Sequence, residues 1–272
     1  MSWLDAIILG LVEGITEFLP ISSTGHLILA RAFLGLSAEQ TSVALIVIQG
    51  AAILAVCWEY RVKLWHIGLS LFSDPNARRF ALNLLIAFVP LAAIGLRFQE
   101  DIENVLFKPI PVALALMIGG FVILWAERRK HVESIATVDD IQPKDATKVG
   151  LIQVLALIPG TSRSAATILG GLFIGMSRRA ATEFSFFIAI PTLLGATVYE
   201  LWKVRHTLTA DQAGPIALSS VIAFIGALIS IRFLLRFVSR HSFAVFAWYR
   251  IIFGGIVLLA WWLGWVNWNE AA

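Results

Sequence analysis

The chain has 272 residues, of which 58% are hydrophobic and 14% charged, and its mean hydropathy is +0.82; a soluble domain carries roughly 25% charged residues, so a water-soluble globule is excluded and an integral membrane protein is read. The net charge of +3 is carried by loops and excludes a nucleic-acid partner. The single Cys57 excludes an internal disulfide and a cysteine metal cluster.

In chain order, residues 1–9 show neither a positively charged start nor a small-residue cleavage site, and are expected to be mature protein and not a signal peptide. Apolar stretches then run at about 3 to 19, 24 to 36, 41 to 58, 80 to 97, 109 to 126, 147 to 158, 164 to 176, 181 to 202, 214 to 235 and 243 to 266. Six are long enough to cross a bilayer, which takes roughly 20 residues. The other four form two adjacent pairs, broken at Pro20 and at Pro159-Gly160. Their lengths suit half-helices of re-entrant hairpins better than full spans.

The halves resemble each other. Gly10-Leu-Val-Glu13 is similar to Gly150-Leu-Ile-Gln153, Leu19-Pro20-Ile-Ser22-Ser23 to Ile158-Pro159-Gly-Thr161-Ser162, and Ile86-Ala-Phe-Val-Pro90 to Ile188-Ala-Ile-Pro191. A broken hairpin followed by three spans in each half makes the second copy inverted, the architecture in which interrupted segments at matching positions mark a binding site near the midplane. The expected fold is therefore an all-α membrane protein of about six transmembrane helices plus two re-entrant helix-break-helix hairpins in an inverted-topology repeat. It forms one integral membrane domain over 1–272, with repeat one at about 1–126, a cytoplasmic loop at about 127–146 and repeat two at about 147–272.

Loop charge sets the expected orientation. One face carries Arg61, Lys63, Arg78, Arg79, Arg128, Arg129, Lys130, Lys144, Lys148, Arg178, Arg179, Arg236 and Arg240; the other has Arg31, Arg97, Lys108, Lys203 and Arg205. The richer face is expected to be cytoplasmic, with loops 59–79 and 127–146 inside, 98–108 and 203–213 outside, and both termini outside. Trp3, Trp58, Trp65, Trp125, Trp202, Trp248, Trp261, Trp262, Trp265 and Trp268 fall near span ends, as interfacial anchors do.

Polar residues concentrate at the two breaks, and ionisable groups at membrane depth mark a functional site by default. Glu13 and Glu17 are four apart, which on a helix brings two carboxylates onto one face about 6 Å apart. Such a pair calls for a cation or a nearby arginine; Mg2+ or Ca2+, which take oxygen ligands and bridge to phosphates, would satisfy it. Gln49 is either an amide ligand or an interhelical hydrogen-bonding group. After Pro20, Ser22, Ser23 and Thr24 open the next half-helix, and capping explains one of the three hydroxyls. Ser23 with His26 is a minimal nucleophile and base pair, although His26 serves equally as an acid toward a leaving phosphate. At the second break, Thr161 or Ser162 caps a helix whose N-terminus favours anions. Arg163 adds a guanidinium fork that matches phosphate oxygens. Glu183 and Arg250, just inside apolar stretches, belong either behind such a site or at the interface.

Glu13-x-x-x-Glu17 followed by Ser-Ser-Thr-Gly-His26, with Pro159-Gly-x-Ser-Arg-Ser-x-x-Thr167, resembles the undecaprenyl-diphosphate phosphatase family of bacterial membranes, which confers bacitracin resistance. Similar context runs through Gln49-Gly, Glu183-Phe-Ser-Phe and Tyr249-Arg250. Ala165 stands where that family commonly has glycine; alanine is the better helix former, so activity is expected to survive. The resemblance implies a multi-pass protein of the bacterial inner membrane that hydrolyses undecaprenyl diphosphate to undecaprenyl phosphate and inorganic phosphate, recycling the lipid carrier for cell-wall synthesis. It implies Glu17, Ser23, His26 and Arg163 as catalytic residues, with Ser22, Thr24, Ser162, Arg163, Ser164 and Thr167 on the phosphates. Glu13 and Glu17 would hold the divalent cation, Mg2+ or Ca2+. Attack by Ser23 and attack by water assisted by His26 both stay open. Partners are the polyprenyl diphosphate, membrane lipids and, as an option, a second copy of the chain in a homodimer. The alternative is an inverted-repeat carrier or flippase for a lipid phosphate or other anion; an intramembrane serine protease is more distant, since Ser23 and His26 share one short segment.

Overall fold

The computed structural model describes residues 1–129, 131–205 and 213–264. Lys130, most of the 203–213 loop, Trp265 and Trp268 lie outside the described residues. Within them the chain is helical, its one β-bridge joining Ile135 and Met176. The elements are α1 (Trp3–Thr16), α2 (Ser23–Leu34), α3 (Ala38–Glu59), α4 (Arg61–Ser70), α5 (Pro75–Leu106), α6 (Pro109–Arg128), α7 (Pro143–Gln153), α8 (Arg163–Phe173), α9 (Arg178–Val204), α10 (Ala213–Val238) and α11 (Ala244–Trp262). Six are long and apolar enough to cross a membrane: α3, α5, α6, α9, α10 and α11. The protein is a multi-pass membrane protein. Helices α1, α2, α7 and α8 have 14, 12, 11 and 11 residues and form two pairs, α1–α2 around Pro20 and α7–α8 around Pro159-Gly160.

Small residues let the short helices sit close to the long ones. A Cβ added at Gly14 would come within 2.5 Å of the Ala223 carbonyl oxygen on α10, and one at Gly150 within 2.7 Å of the Ala87 backbone on α5. This is how membrane helices gain van der Waals contact where no water is left to expel. Thus α1 packs along α10 and α7 along α5. The third sequence match, residues 86–90 with 188–191, falls on α5 and α9, the second span of one half and the first of the other. It does not join equivalent elements, and reflects a shared proline inside a long apolar helix.

Two segments expected as loops are helical. In the 59–79 loop, α4 buries no residue: Val62, Trp65 and Leu69 are exposed, while Leu64 and Ile67 are partly buried against the core. At 98–108, Phe98 breaks α5 (φ −120, ψ 16) but the chain resumes helix to Leu106, with Ile102, Val105 and Leu106 on an apolar stripe. Hydropathy alone ended both spans there because it does not register short helices interspersed with charged residues. The basic loops cluster on one face: Lys63 pairs with Asp139 at 2.7 Å, Arg178 with Glu127 at 2.7 Å and Arg232 with Glu59 at 2.8 Å. On that face the Thr137 hydroxyl and N–H hold the Asp140 carboxyl below the usual range. The described tryptophans Trp3, Trp58, Trp65, Trp125, Trp202, Trp248, Trp261 and Trp262 are exposed.

Candidate active site

Both breaks have the same local geometry. Among the described residues, Ser22 (φ 71) and Ser162 (φ 72) are the non-glycine positions with positive φ, and each immediately precedes the first residue of a helix, Ser23 in α2 and Arg163 in α8. Such backbone costs of order 1–3 kcal/mol at a non-glycine residue, and persists only where surrounding structure holds it. Pro20 and Pro159 end the preceding helical segments because proline has no N–H to continue the ladder. Ser162 caps α8, its hydroxyl accepting from the Ala165 N–H at 3.2 Å. Ser22 occupies the matching place before α2 without a side-chain cap, so the expected capping by a hydroxyl of the first island does not form. Ala165, in place of the glycine of the family pattern, sits inside α8 where no special backbone is needed.

The two islands, remote in sequence, meet. Arg163 Nη2 lies 3.4 Å from Glu17 Oε1, both side chains nearly buried. The Ser23 hydroxyl donates to Glu17 Oε2 at 2.5 Å. The Ser164 hydroxyl donates to the Leu19 carbonyl at 2.8 Å, tying α8 to the first break. Arg163 is steadied from α9, where its Nη1 donates to the Ser185 carbonyl at 2.9 Å. A cavity of about 170 Å³ opens on this cluster, lined by Glu17, Ser22, Ser23, Thr24, Ser162 and Arg163. Its other walls include Gln49, Pro159, Gly160, Thr192 and the apolar Leu91, Leu157 and Leu193.

Not every residue expected at the site faces it. The expected Ser23–His26 pair is replaced by Ser23–Glu17. His26 Nδ1 lies 2.8 Å from the Ser22 carbonyl, which can only accept, so that nitrogen carries the proton, and Nε2 takes the Tyr249 hydroxyl at 2.6 Å. The ring stacks on Phe253 with centroids 4.1 Å apart. Sequence proximity put His26 beside Ser23, but Glu17 takes the Ser23 hydroxyl while the Ser22 carbonyl and Tyr249 hold both nitrogens of the His26 ring. Ser164 and Thr167 are buried and engaged behind the cavity wall: the Thr167 hydroxyl donates to the Arg163 carbonyl at 2.9 Å and meets the Ser185 hydroxyl at 2.6 Å. Thr167 braces Arg163 and Ser164 ties α8 to the first break; neither lines the cavity as expected of phosphate ligands. Glu13 is 1% exposed, one turn behind Glu17, and its Oε1 has no hydrogen-bond partner. Among the described residues no group of three His, Cys, Asp or Glu side chains converges.

Sequence reasoning gave no role to Ser185, which lies within the Glu183-Phe-Ser-Phe stretch and receives both Arg163 and Thr167, and left Arg250 undecided. Arg250 is fully buried and reaches both breaks. Its signal was an arginine flanked by apolar residues inside a spanning helix.

This is a multi-pass helical membrane protein whose two broken helices enclose a small cavity with a compensated acid, hydroxyl and guanidinium. Residues 6–256 match the family described as bacitracin resistance protein BacA, and the chain belongs to that family. It is 58% identical over 272 residues to an undecaprenyl-diphosphatase of Nitrosospira multiformis, covering 99% of this chain and all of the relative. It is also 57% identical to undecaprenyl-diphosphatase 2 of Rhodospirillum rubrum over 98% of this chain and 97% of the relative. The undecaprenyl-diphosphatase of Dechloromonas aromatica is 56% identical over 97% of both chains.

Proposed function

We propose that the chain is a membrane phosphatase that hydrolyses undecaprenyl diphosphate to undecaprenyl phosphate and inorganic phosphate, returning the lipid carrier to cell-wall synthesis and conferring bacitracin resistance. The observation that carries this reading is the convergence of Glu17, Ser23 and Arg163 on one cavity between the two breaks. The polyprenyl tail stays in the bilayer and only the diphosphate enters the polar cavity.

In this reading the Ser23 oxygen attacks the terminal phosphorus while Glu17, already accepting its hydrogen bond, takes the proton. The bond to the bridging oxygen breaks and lipid monophosphate leaves; water then releases phosphate from Ser23. Direct attack by a water held by Glu17 is the competing course. Arg163, with the N-terminal N–H groups of α8, neutralises charge developing on the transferring group. Ser22, Thr24 and Ser162 offer hydroxyls to the phosphate oxygens. Thr167 acts through Arg163, Ser164 through the Leu19 carbonyl, and His26 through the Ser22 carbonyl.

The donor set suits a hard divalent cation: Glu17 faces the cavity, and Glu13 behind it has a buried oxygen without a partner. Glu13 and Glu17 would hold Mg2+ or Ca2+, which would neutralise phosphate charge. The same reading takes α1–α2 and α7–α8 as re-entrant hairpins of an inverted repeat within one domain over 1–272, supported by their short lengths and the paired positive-φ serines. It takes both termini as periplasmic and the basic loops as cytoplasmic, with membrane lipids and a second copy in a homodimer as partners. The carrier alternative needs an anion site but gains nothing from a serine donating to a buried glutamate. Phosphate release from a polyprenyl diphosphate by purified protein in detergent tests the reading; translocation without phosphate release would overturn it.

A further inference from the structure

Arg250 is among the bulkiest fully buried side chains of the described residues and lies within spanning helix α11. A guanidinium has five N–H donors, and here each reaches a main-chain carbonyl. Nε donates to Leu116 at 3.2 Å and Nη2 to Ala115 at 3.2 Å, both on α6. Nη1 donates to Pro20 at 3.2 Å and Thr161 at 2.9 Å, and Nη2 also donates to Gly160 at 3.0 Å. None of these acceptors is a carboxylate. Pro20 and Gly160 occupy the same place in the two breaks, each two residues before its positive-φ serine.

Carbonyls at a broken helix end have no partner within the helix, and in a membrane interior no bulk water replaces it. One planar cation therefore joins the negative ends of both broken segments and fixes them to α6. A lysine presents a point charge on a flexible stem and cannot reproduce the fork. Gly119 keeps the space open: a Cβ there would sit 2.1 Å from Arg250 Nη2.

We propose that Arg250 is a positioning residue for the phosphoryl-transfer site, fixing the register of the two breaks so that Ser23 and Glu17 from one face Arg163 from the other. The proposal rests on the reading of that cavity as the place of diphosphate hydrolysis. The reacting groups lie within three residues of the clamped carbonyls on either side, so loss of the clamp misaligns them without removing any of them, and a displacement of about 1 Å is enough to cost on the order of a hundredfold in rate.

The experiment compares Arg250→Lys, Gly119→Ala and the control Gly255→Ala, whose Cβ would meet nothing within 4 Å. Purified proteins are assayed for phosphate release from a polyprenyl diphosphate and for folded protein by gel filtration. In both Arg250→Lys and Gly119→Ala, kcat should fall by about tenfold or more while KM moves by less than about threefold, because alignment and not affinity is lost. The Gly255→Ala control should match wild type. Gly119→Ala keeps Arg250, its charge and every site residue in the chain and displaces only the guanidinium, so its deficit isolates positioning. Unchanged kcat in both test variants, or a rise in KM alone, overturns the role of Arg250 while leaving the site reading intact. Loss of folded protein in both overturns it as well, reducing Arg250 to a general structural ligand. Absence of hydrolysis by wild type instead removes the underlying site reading.

Discussion

Replacing Arg163 with Met removes a cation that serves two ends, and the two are separable. Arg163 and Glu17 lie 3.4 Å apart with side chains 9% and 5% exposed, a gross attraction of about 5 kcal/mol at an effective dielectric of roughly 20. Desolvation of both groups offsets part of this. In chelator-treated protein, removing one partner leaves Glu17 buried beside Glu13 without a counter-charge, a change that costs about 3–5 kcal/mol and on the order of 10 °C in Tm. Turnover should fall by roughly a hundredfold or more, since the charge facing the phosphoryl group is lost. Adding Glu17→Gln to Arg163→Met removes the stranded carboxylate, so the double variant should regain most of the lost Tm and none of the activity. Thermal unfolding in detergent, followed through the 10 tryptophans, and phosphate release together read both effects. A single variant with wild-type Tm, or a double variant no more stable than the single, would refute the compensation argument; near-normal turnover in Arg163→Met would refute its place in the site.

Three further outcomes are expected. Chelator should abolish phosphate release and Mg2+ or Ca2+ restore it, with Glu13→Ala raising the concentration needed; full activity in excess chelator removes the cation from the site. Single cysteines in a Cys57→Ser background, labelled in intact cells with an impermeant reagent, should react at 98–108 and stay protected at 59–79 and 131–146, and labelling of the latter from outside reverses the proposed topology. Cysteines at Ser22 and Thr161 in the same background should cross-link within one chain with a short reagent, and a diphosphate analogue should slow the reaction; cross-linking only between chains counts against a site built within one protomer.

The residue chemistry of the site was legible because charge at membrane depth stands out against apolar surroundings. Glu13, Glu17, Ser23 and Arg163 are visible as local departures in hydropathy, and Pro20 and Pro159 as local breaks. Which hydroxyl meets which acid was not legible. Ser23 turning to Glu17 and His26 to Tyr249 depends on side-chain direction around the first turn of α2 and on α11, a helix 223 residues away in sequence from His26. The resemblance implies Ser164 and Thr167 as phosphate ligands, yet α9 supplies Ser185 as a partner to Thr167 and the Leu19 carbonyl takes the Ser164 hydroxyl.

The sequence by itself determined the membrane class, the six spanning helices, the position of both breaks and the types of group at each, because all of these are written in the hydropathy and backbone preferences of neighbouring residues. Only the tertiary structure decided that the two breaks converge, that Arg163 compensates Glu17, and that Arg250 joins Pro20 to Gly160 and Thr161. These contacts link segments 89 to 230 residues apart in the pairs made by Arg250, and 146 apart in the pair made by Arg163. Their energies depend on helix packing and on how little water reaches the interior, quantities that no local pattern of residues encodes.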